Sequence, residues 1–250
     1  MKLTDLFKNP KGFTLIEILF AIFIGLMLLS AIYVSMISGQ KSAVSIERKV
    51  AAQQDVRSAL EVMTTEMGMA SYNPTFSSGI WRNGPTTTTC GTPAMNQAIK
   101  GIQEATANSI TVEMDVGGTG TIGDENNEIL RYAFDPVNRR MTREINCLVL
   151  SEAEKSFIGN IQGNPRNVRV INDILGITNG MGVPAIFRYF DGRSPATELY
   201  PEADPTAIPN IRRIDITLGV ETDEVDPNTQ QPRRMIYSSS VVVRNHSINL

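Results

Sequence analysis

The sequence predicts an α+β protein, in which a long N-terminal α-helix with a transmembrane first half packs on an antiparallel β-sheet globular body. Three observations predict this fold. A long apolar segment follows a short basic leader, a helical stripe continues from it without proline, and after Pro74 short runs of alternating apolar and polar residues replace the helical spacing. We expect four segments, namely a leader over 1–12, a transmembrane half over 13–37, an amphipathic half over 38–72 and a β-rich body over 73–250.

The apolar segment over residues 13–37 contains a single charged residue, Glu17. As a helix it is about 38 Å long, and a hydrocarbon core is roughly 30 Å thick. The leader carries Lys2, Lys8 and Lys11 against one acidic residue. Because basic flanks stay on the cytoplasmic side, we expect a single-pass topology with a cytoplasmic N-terminus and an exported body.

Two ordinary interpretations of this segment compete. A cleaved secretory signal has a shorter apolar region that ends in an Ala-x-Ala site, whereas here the run is long and helical sequence follows without a loop. A plain signal anchor fits the length but leaves Glu17 unexplained. A carboxylate at that depth costs roughly 2.5–3.5 kcal/mol on insertion scales, so it normally has a partner or a function.

The run Lys11-Gly12-Phe13-Thr14-Leu15-Ile16-Glu17 resembles the type IV prepilin processing motif. The resemblance implies that a prepilin peptidase cleaves between Gly12 and Phe13 and that the new N-terminal amine of Phe13 is methylated. Glu17 then becomes the fifth residue of the mature chain. Glycine at position 12 leaves no Cβ to obstruct a tight peptidase site. The Glu17 carboxylate is placed to neutralise the cationic N-terminus of an adjacent subunit within lipid.

Helical spacing continues beyond the membrane segment and predicts one helix from about Thr14 to Ser71, ended by Asn73-Pro74. The predicted apolar stripe packs on the body, and the opposite face is expected to be solvated or lightly paired. The stripe comprises Ile46, Val50, Gln53, Val56, Leu60, Met63, Met67 and Ala70. The charged face comprises Glu47, Arg48, Lys49, Asp55, Arg57, Glu61 and Glu66.

Alternating apolar residues and β-prone composition predict six strands in the body. We expect Asp135-Pro136-Val137-Asn138 to form the turn of a hairpin. The predicted strands are 109–115, 128–135, 140–149, 185–191, 211–221 and 234–245. The segments 187–191, 211–221 and 243–245 resemble PilW-like minor pilins, and pseudopilins of the J type in type II secretion share much of this pattern.

Cys90 and Cys147 both lie in the predicted exported body, where an even pair is most simply a disulfide. Two buried thiols or a metal pair are the alternatives.

Hard oxygen ligands at Asp124, Glu125, Asn127 and Glu128 form a candidate calcium loop, although ordinary solvated turns are favoured over calcium binding. We expect His246 to be an exposed terminal residue. Apart from calcium, no cofactor or metal is expected.

Other classes of protein lack support. Gly117-Gly118-Thr119-Gly120 matches a phosphate loop in composition alone. The sequence lacks hydrolase, Walker A and metalloprotease motifs. A net charge of −3 disfavours nucleic acid as a partner.

The resemblance implies a non-enzymatic minor pilin or pseudopilin that primes or caps a filament. Its implied partners are prepilin peptidase, other minor and major pilins or pseudopilins, and inner-membrane lipid; the implied location is the inner membrane with a periplasmic body, then the filament or its tip. The alternative is a signal-anchored periplasmic binding or hydrolytic domain.

Overall fold

The computed structural model describes residues 12–82, 100–146, 150–159, 168–172, 177–223, 225–226 and 229–247. Within it the chain divides after Glu47 into two units, which are described separately below. The fold class that the sequence predicts, a long helix with an antiparallel β body, is confirmed.

Helix α1 spans Leu15–Gly68 and continues through the division between the units. In the first unit its apolar side chains from Leu15 to Met36 are exposed. This helix is long and apolar enough to cross a membrane, and no other helix in the described ranges meets that criterion.

The part of α1 in the second unit, residues 48–68, packs one stripe on the body. Its fully or nearly fully buried residues are Ala52, Val56, Ala59, Leu60, Met63 and Met67. The predicted stripe is wrong at Val50, which is exposed. Spacing identifies the face of a helix, but it does not show how far along the helix another layer covers that face. The helix ends three residues earlier than predicted, and Ser71 turns with a φ of 63° while its N–H donates to the carbonyl of Glu113.

The first sheet is an antiparallel meander of five strands in chain order. Its strands are β1 (Ile102–Ala105), β2 (Ser109–Glu113), β3 (Ile129–Asp135), β4 (Arg140–Ile145) and β5 (Ser156–Gly159), and a short helix α2 (Glu152–Lys155) precedes β5. The predicted hairpin is confirmed: Asp135 lies opposite Arg140, and its carboxylate accepts the backbone N–H groups of Val137 and Asn138. This carboxylate therefore closes the turn.

The second sheet has the strand order β10-β9-β7-β8, with β6 paired to the end of β9. Its strands are β6 (Val168–Ile171), β7 (Phe187–Phe190), β8 (Glu198–Leu199), β9 (Arg213–Thr222) and β10 (Arg234–Val242). The alternation of Ile214, Ile216, Leu218 and Val220 places all four side chains in the core. One continuous hydrophobic cluster joins residues of both sheets with the buried stripe of α1.

Candidate functional site

The N-terminal end of α1 is built around the side chains of Thr14 and Glu17. The backbone N–H and the hydroxyl of Thr14 both donate to Oε2 of Glu17, at 2.8 and 2.9 Å. In return the N–H of Glu17 donates to the Thr14 hydroxyl at 3.3 Å. This reciprocal pair is a capping box, which satisfies N–H groups that the first turn of a helix otherwise leaves without partners.

The capping box uses one of the two carboxylate oxygens of Glu17. Within the described residues, no hydrogen bond reaches Oε1. Gly12 and Phe13 precede the cap outside the helix, and Phe13 is 85% exposed. Gly12 has open space at the position of a Cβ. The predicted cleavage point is therefore accessible in this structure, and one oxygen of Glu17 remains available to an external cation.

The candidate calcium loop connects β2 to β3, and the side chains of Asp124, Asn127 and Glu128 in it already have protein partners. The fully buried carboxylate of Glu128 accepts the N–H groups of Gly117, Gly123 and Glu125 at 3.3, 2.7 and 3.2 Å. The hydroxyl of Thr119 donates to Asp124, which lowers the pKa of that carboxyl. In the part of the chain that the structure describes, no group of three or more His, Cys, Asp or Glu side chains could hold a metal ion.

Asn127, another of the calcium candidates, accepts a hydrogen bond from Arg143 at 2.9 Å. The glycine-rich part of the same loop is equally occupied, because the buried carboxylate of Asp115 accepts the N–H groups of Thr119 and Gly120 at 3.0 and 2.9 Å. These N–H groups are the ones that a phosphate loop would offer to its ligand. The described geometry thus uses the loop's polar groups to hold its own backbone.

Comparison with known proteins bears on the N-terminal segment. Residues 7–33 match the prokaryotic N-terminal methylation motif. No curated protein and no solved structure matches the chain significantly. The matched range includes the capping box and the exposed apolar start of α1. This motif supports a type IV pilin-like protein that prepilin peptidase processes, and it suggests membrane anchoring through the apolar helix.

The two cysteines, Cys90 and Cys147, lie outside the described residues. Their disulfide remains a prediction from the sequence.

The methylation motif ends well before the residues that fix the helix to the body, which include a cluster centred on Glu66. Arg143 binds the Glu66 carboxylate through two nitrogens, Nε at 3.0 Å and Nη2 at 2.6 Å. The hydroxyl of the buried Tyr132 donates to the same carboxylate. Burial, reinforced by the negative charge of Glu66, raises the pKa of Tyr132. Glu66, which was expected on a solvated or lightly paired face, is therefore not solvated but held by three hydrogen bonds between α1 and the strands β3 and β4.

His246 is buried, with 1% of its surface exposed, so the expectation of an exposed terminal residue is wrong. Its Nε2 lies 2.9 Å from the carbonyl of Ile208, and its Nδ1 lies 2.8 Å from both the Ser71 hydroxyl and the carbonyl of Lys100. Burial lowers the pKa of this imidazole. His246 thus joins the chain end to the turn after α1, and its place near the terminus gave no signal of this role.

Proposed function

We propose that this protein is a minor pilin of the PilW-like kind, a structural subunit that primes or caps a type IV pilus-like filament. The observation that carries the proposal is the methylation motif at residues 7–33, continuous with a helix whose apolar side chains are exposed. Side chains that are apolar around the whole helix are suited to lipid or to a bundle of similar helices. The β body accounts for the remaining length and carries the contacts outside the membrane.

Assembly, in this proposal, begins with cleavage between Gly12 and Phe13 and methylation of the new amine. The cytoplasmic leader is removed, the first half of α1 stays in the inner membrane, and the body lies in the periplasm. Helices then bundle in the filament core, where the carboxylate of Glu17 meets the N-terminal amine of a neighbouring subunit. The unused Oε1 of Glu17 gives that amine an acceptor without breaking the capping box. Head-to-tail contacts of this kind produce open helical assemblies rather than closed rings.

The leader variant Gly12→Glu tests this assignment. A side chain at this position obstructs the peptidase, so we expect the variant to remain at the mobility of the unprocessed chain in cells that contain prepilin peptidase. Gly12→Ala is the matched control and should be processed better than Gly12→Glu, because its single methyl group obstructs the peptidase site less than a glutamate side chain does. Processing of Gly12→Glu at the rate of the control, or no peptidase-dependent shift of the unmodified chain, would contradict the proposal.

A further inference from the structure

The body contains a cavity of about 360 Å³ beside the turn that follows α1. This volume lies at the lower end of the range for small-molecule sites. Within the described residues its lining is mostly apolar, and three aromatic side chains contribute to it, Tyr72, Phe76 and Trp81. These residues lie outside the methylation motif, so the proposed assembly role does not account for the cavity.

Close backbone contacts hold one wall of this cavity. Gly101 has a φ of 69°, and a Cβ there would lie 2.8 Å from the carbonyl oxygen of Glu113 and 2.9 Å from the backbone of Ser71. This approach brings Lys100 next to Ser71, whose hydroxyl donates to the Lys100 carbonyl. The imidazole of His246 contacts both of these groups. The wall is therefore held by the protein's own bonds, which lowers the cost of ordering it around a ligand.

Another part of the lining is the loop over residues 72–78, which the side chain of Asn73 closes. Its Oδ1 accepts the N–H of Ser77 at 3.2 Å, and its Nδ2 donates to the Ser77 carbonyl at 2.9 Å. Within this loop Phe76 has a φ of 52° and is 63% exposed. A bulky residue rarely adopts that conformation, and such strain is concentrated at functional sites. The loop thus presents an aromatic ring at the cavity instead of burying it.

Trp81 forms a deeper part of the lining. It is 5% exposed and packs with Ile80, Ile122 and Ile129. A buried indole usually has a partner for its N–H. The N–H of Trp81 has no hydrogen bond within the described residues, and it is not sealed from solvent. A ligand in the cavity would supply the missing acceptor.

Further polar groups of the lining are also unbonded. The hydroxyls of Tyr72 and Ser78 and the side-chain amide of Asn245 make no hydrogen bond within the described part of the chain. Lys100 is the one charged side chain among the described lining residues. A single cation does not balance a multiply charged ligand. Hydroxyl, amide and indole groups suit a neutral ligand that carries several hydroxyls.

We propose that this cavity binds a neutral saccharide of one or two rings. The aromatic side chains offer flat apolar surfaces to the C–H faces of a sugar ring, and the unbonded polar groups reach its hydroxyls. A wholly apolar ligand would leave those groups without partners, which is unfavourable for each of them. A proline-rich peptide docks along exposed aromatic grooves, whereas Trp81 is recessed and suits the end of a ligand.

Tryptophan fluorescence of the full-length chain tests the site, because Trp81 is the chain's single tryptophan. The protein is purified in a sugar-free detergent and titrated with neutral hexoses, N-acetylhexosamines and their disaccharides up to about 50 mM, which detects dissociation constants in the millimolar range. We expect a saturable change with at least one of these sugars. Phe76→Ala should weaken this binding about tenfold, since the variant loses a stacking surface but keeps the indole. Val137→Ala is the control, because Val137 is 87% exposed in the β3–β4 turn, and it should bind normally.

Tyr72→Phe removes a hydroxyl and keeps the ring, so it should also bind the sugar several-fold more weakly. Unfolding midpoints show which variants fold, and Tyr72→Phe carries the test if Phe76→Ala does not. Titration with longer oligomers of the bound sugar distinguishes a free sugar from the end of a polysaccharide. The proposal is overturned by the absence of a saturable signal from every sugar or by equal binding in Phe76→Ala and Val137→Ala. A Phe76-dependent signal from a proline-rich peptide alone would also overturn it.

Discussion

Glu17 is the residue on which the assembly proposal depends most. Its Oε2 serves the capping box with Thr14, and its Oε1 has no bond within the described residues. A capped helix start and an available carboxylate oxygen therefore coexist on one side chain. The spacing Thr14-x-x-Glu17 is a capping-box pattern, so the sequence contained the signal for the cap as well as the signal for processing.

Replacing Glu17 separates anchoring from assembly. Glu17→Leu should improve membrane insertion by roughly 2.5–3.5 kcal/mol and leave cleavage intact, while incorporation into sheared filaments falls. Glu17→Asp tests geometry, because the carboxylate is one methylene shorter. Thr14→Ala is the control: it weakens the cap by about 0.5–2 kcal/mol but keeps the carboxylate, so incorporation should persist. Normal incorporation of Glu17→Leu at native expression would contradict the ion pair.

Glu113 is a fully buried carboxyl at the end of β2. One oxygen accepts the backbone N–H of Arg82 and the amide of Gln103, both at 2.9 Å, and the other oxygen has no partner in the described structure. Burial raises the pKa of Glu113 to about 7. The folded chain therefore holds this proton more tightly than the unfolded chain, whose carboxyl titrates near 4.5.

The pH dependence of unfolding follows from that difference. The stability linked to Glu113 is fully present below about pH 4.5 and is lost as the pH rises through 7, a change of about 3 kcal/mol. Glu113→Gln removes this titration, so its free energy of unfolding should fall less than that of the unmodified chain between pH 5 and about pH 8. The buried Trp81, the chain's single tryptophan, gives a fluorescence signal for the measurement. Equal pH profiles would contradict the assignment.

At the scale of elements, the contact between α1 and the sheets depends on a narrow stripe. Met63 is fully buried, whereas its neighbour Val62 is 39% exposed. Met63→Ala should lower the free energy of unfolding of the body by about 2–5 kcal/mol through lost burial and the cavity left behind. Val62→Ala should cost less than about 1 kcal/mol. Chemical denaturation of the full-length chain in detergent compares the two, and similar losses would show that the helix packs with a different face.

The length of the alternating or β-prone run explains which strands the sequence could predict. The six predicted strands correspond to β2, β3, β4, β7, β9 and β10, because each belongs to an alternating or β-prone run. The remaining strands β1, β5, β6 and β8 have four residues or fewer, too short to show a period, whereas the equally short β7 lies within the longer β-prone run 185–191. The division into two sheets depends on pairing between distant segments, such as β6 with β9, for which a single sequence offers no local signal.

Side chains were harder to predict than strands. Glu66 occupies the polar face by helical spacing, yet Tyr132 and Arg143 reach it from the sheet. His246 lies four residues before the chain's last position, yet the turn after α1 buries it. Both roles arise from contacts across more than sixty residues of sequence, which periodicity does not encode. The processing motif was predictable because its residues are consecutive.

For the whole molecule, the predicted Cys90–Cys147 disulfide tests the location of the body. If the body is exported, the two cysteines should be oxidised, and maleimide should label neither after unfolding. The bridge would stabilise the body by about 4 kcal/mol on the chain-entropy estimate. Body expressed in reducing cytoplasm, where both thiols should react, serves as the control. Labelling of two thiols in exported protein, or Cα atoms more than about 7 Å apart in an experimental structure, would contradict the bridge.

The most direct test of the pilin assignment is the chemical identity of the mature N-terminus. Mass spectrometry of the full-length protein, purified from membranes of cells that contain prepilin peptidase, should find a chain that begins at N-methylated Phe13 and lacks residues 1–12. The same protein from cells without the peptidase should retain the leader. A chain that keeps Gly12 and its leader in the presence of the peptidase would contradict the assignment and favour a plain signal anchor.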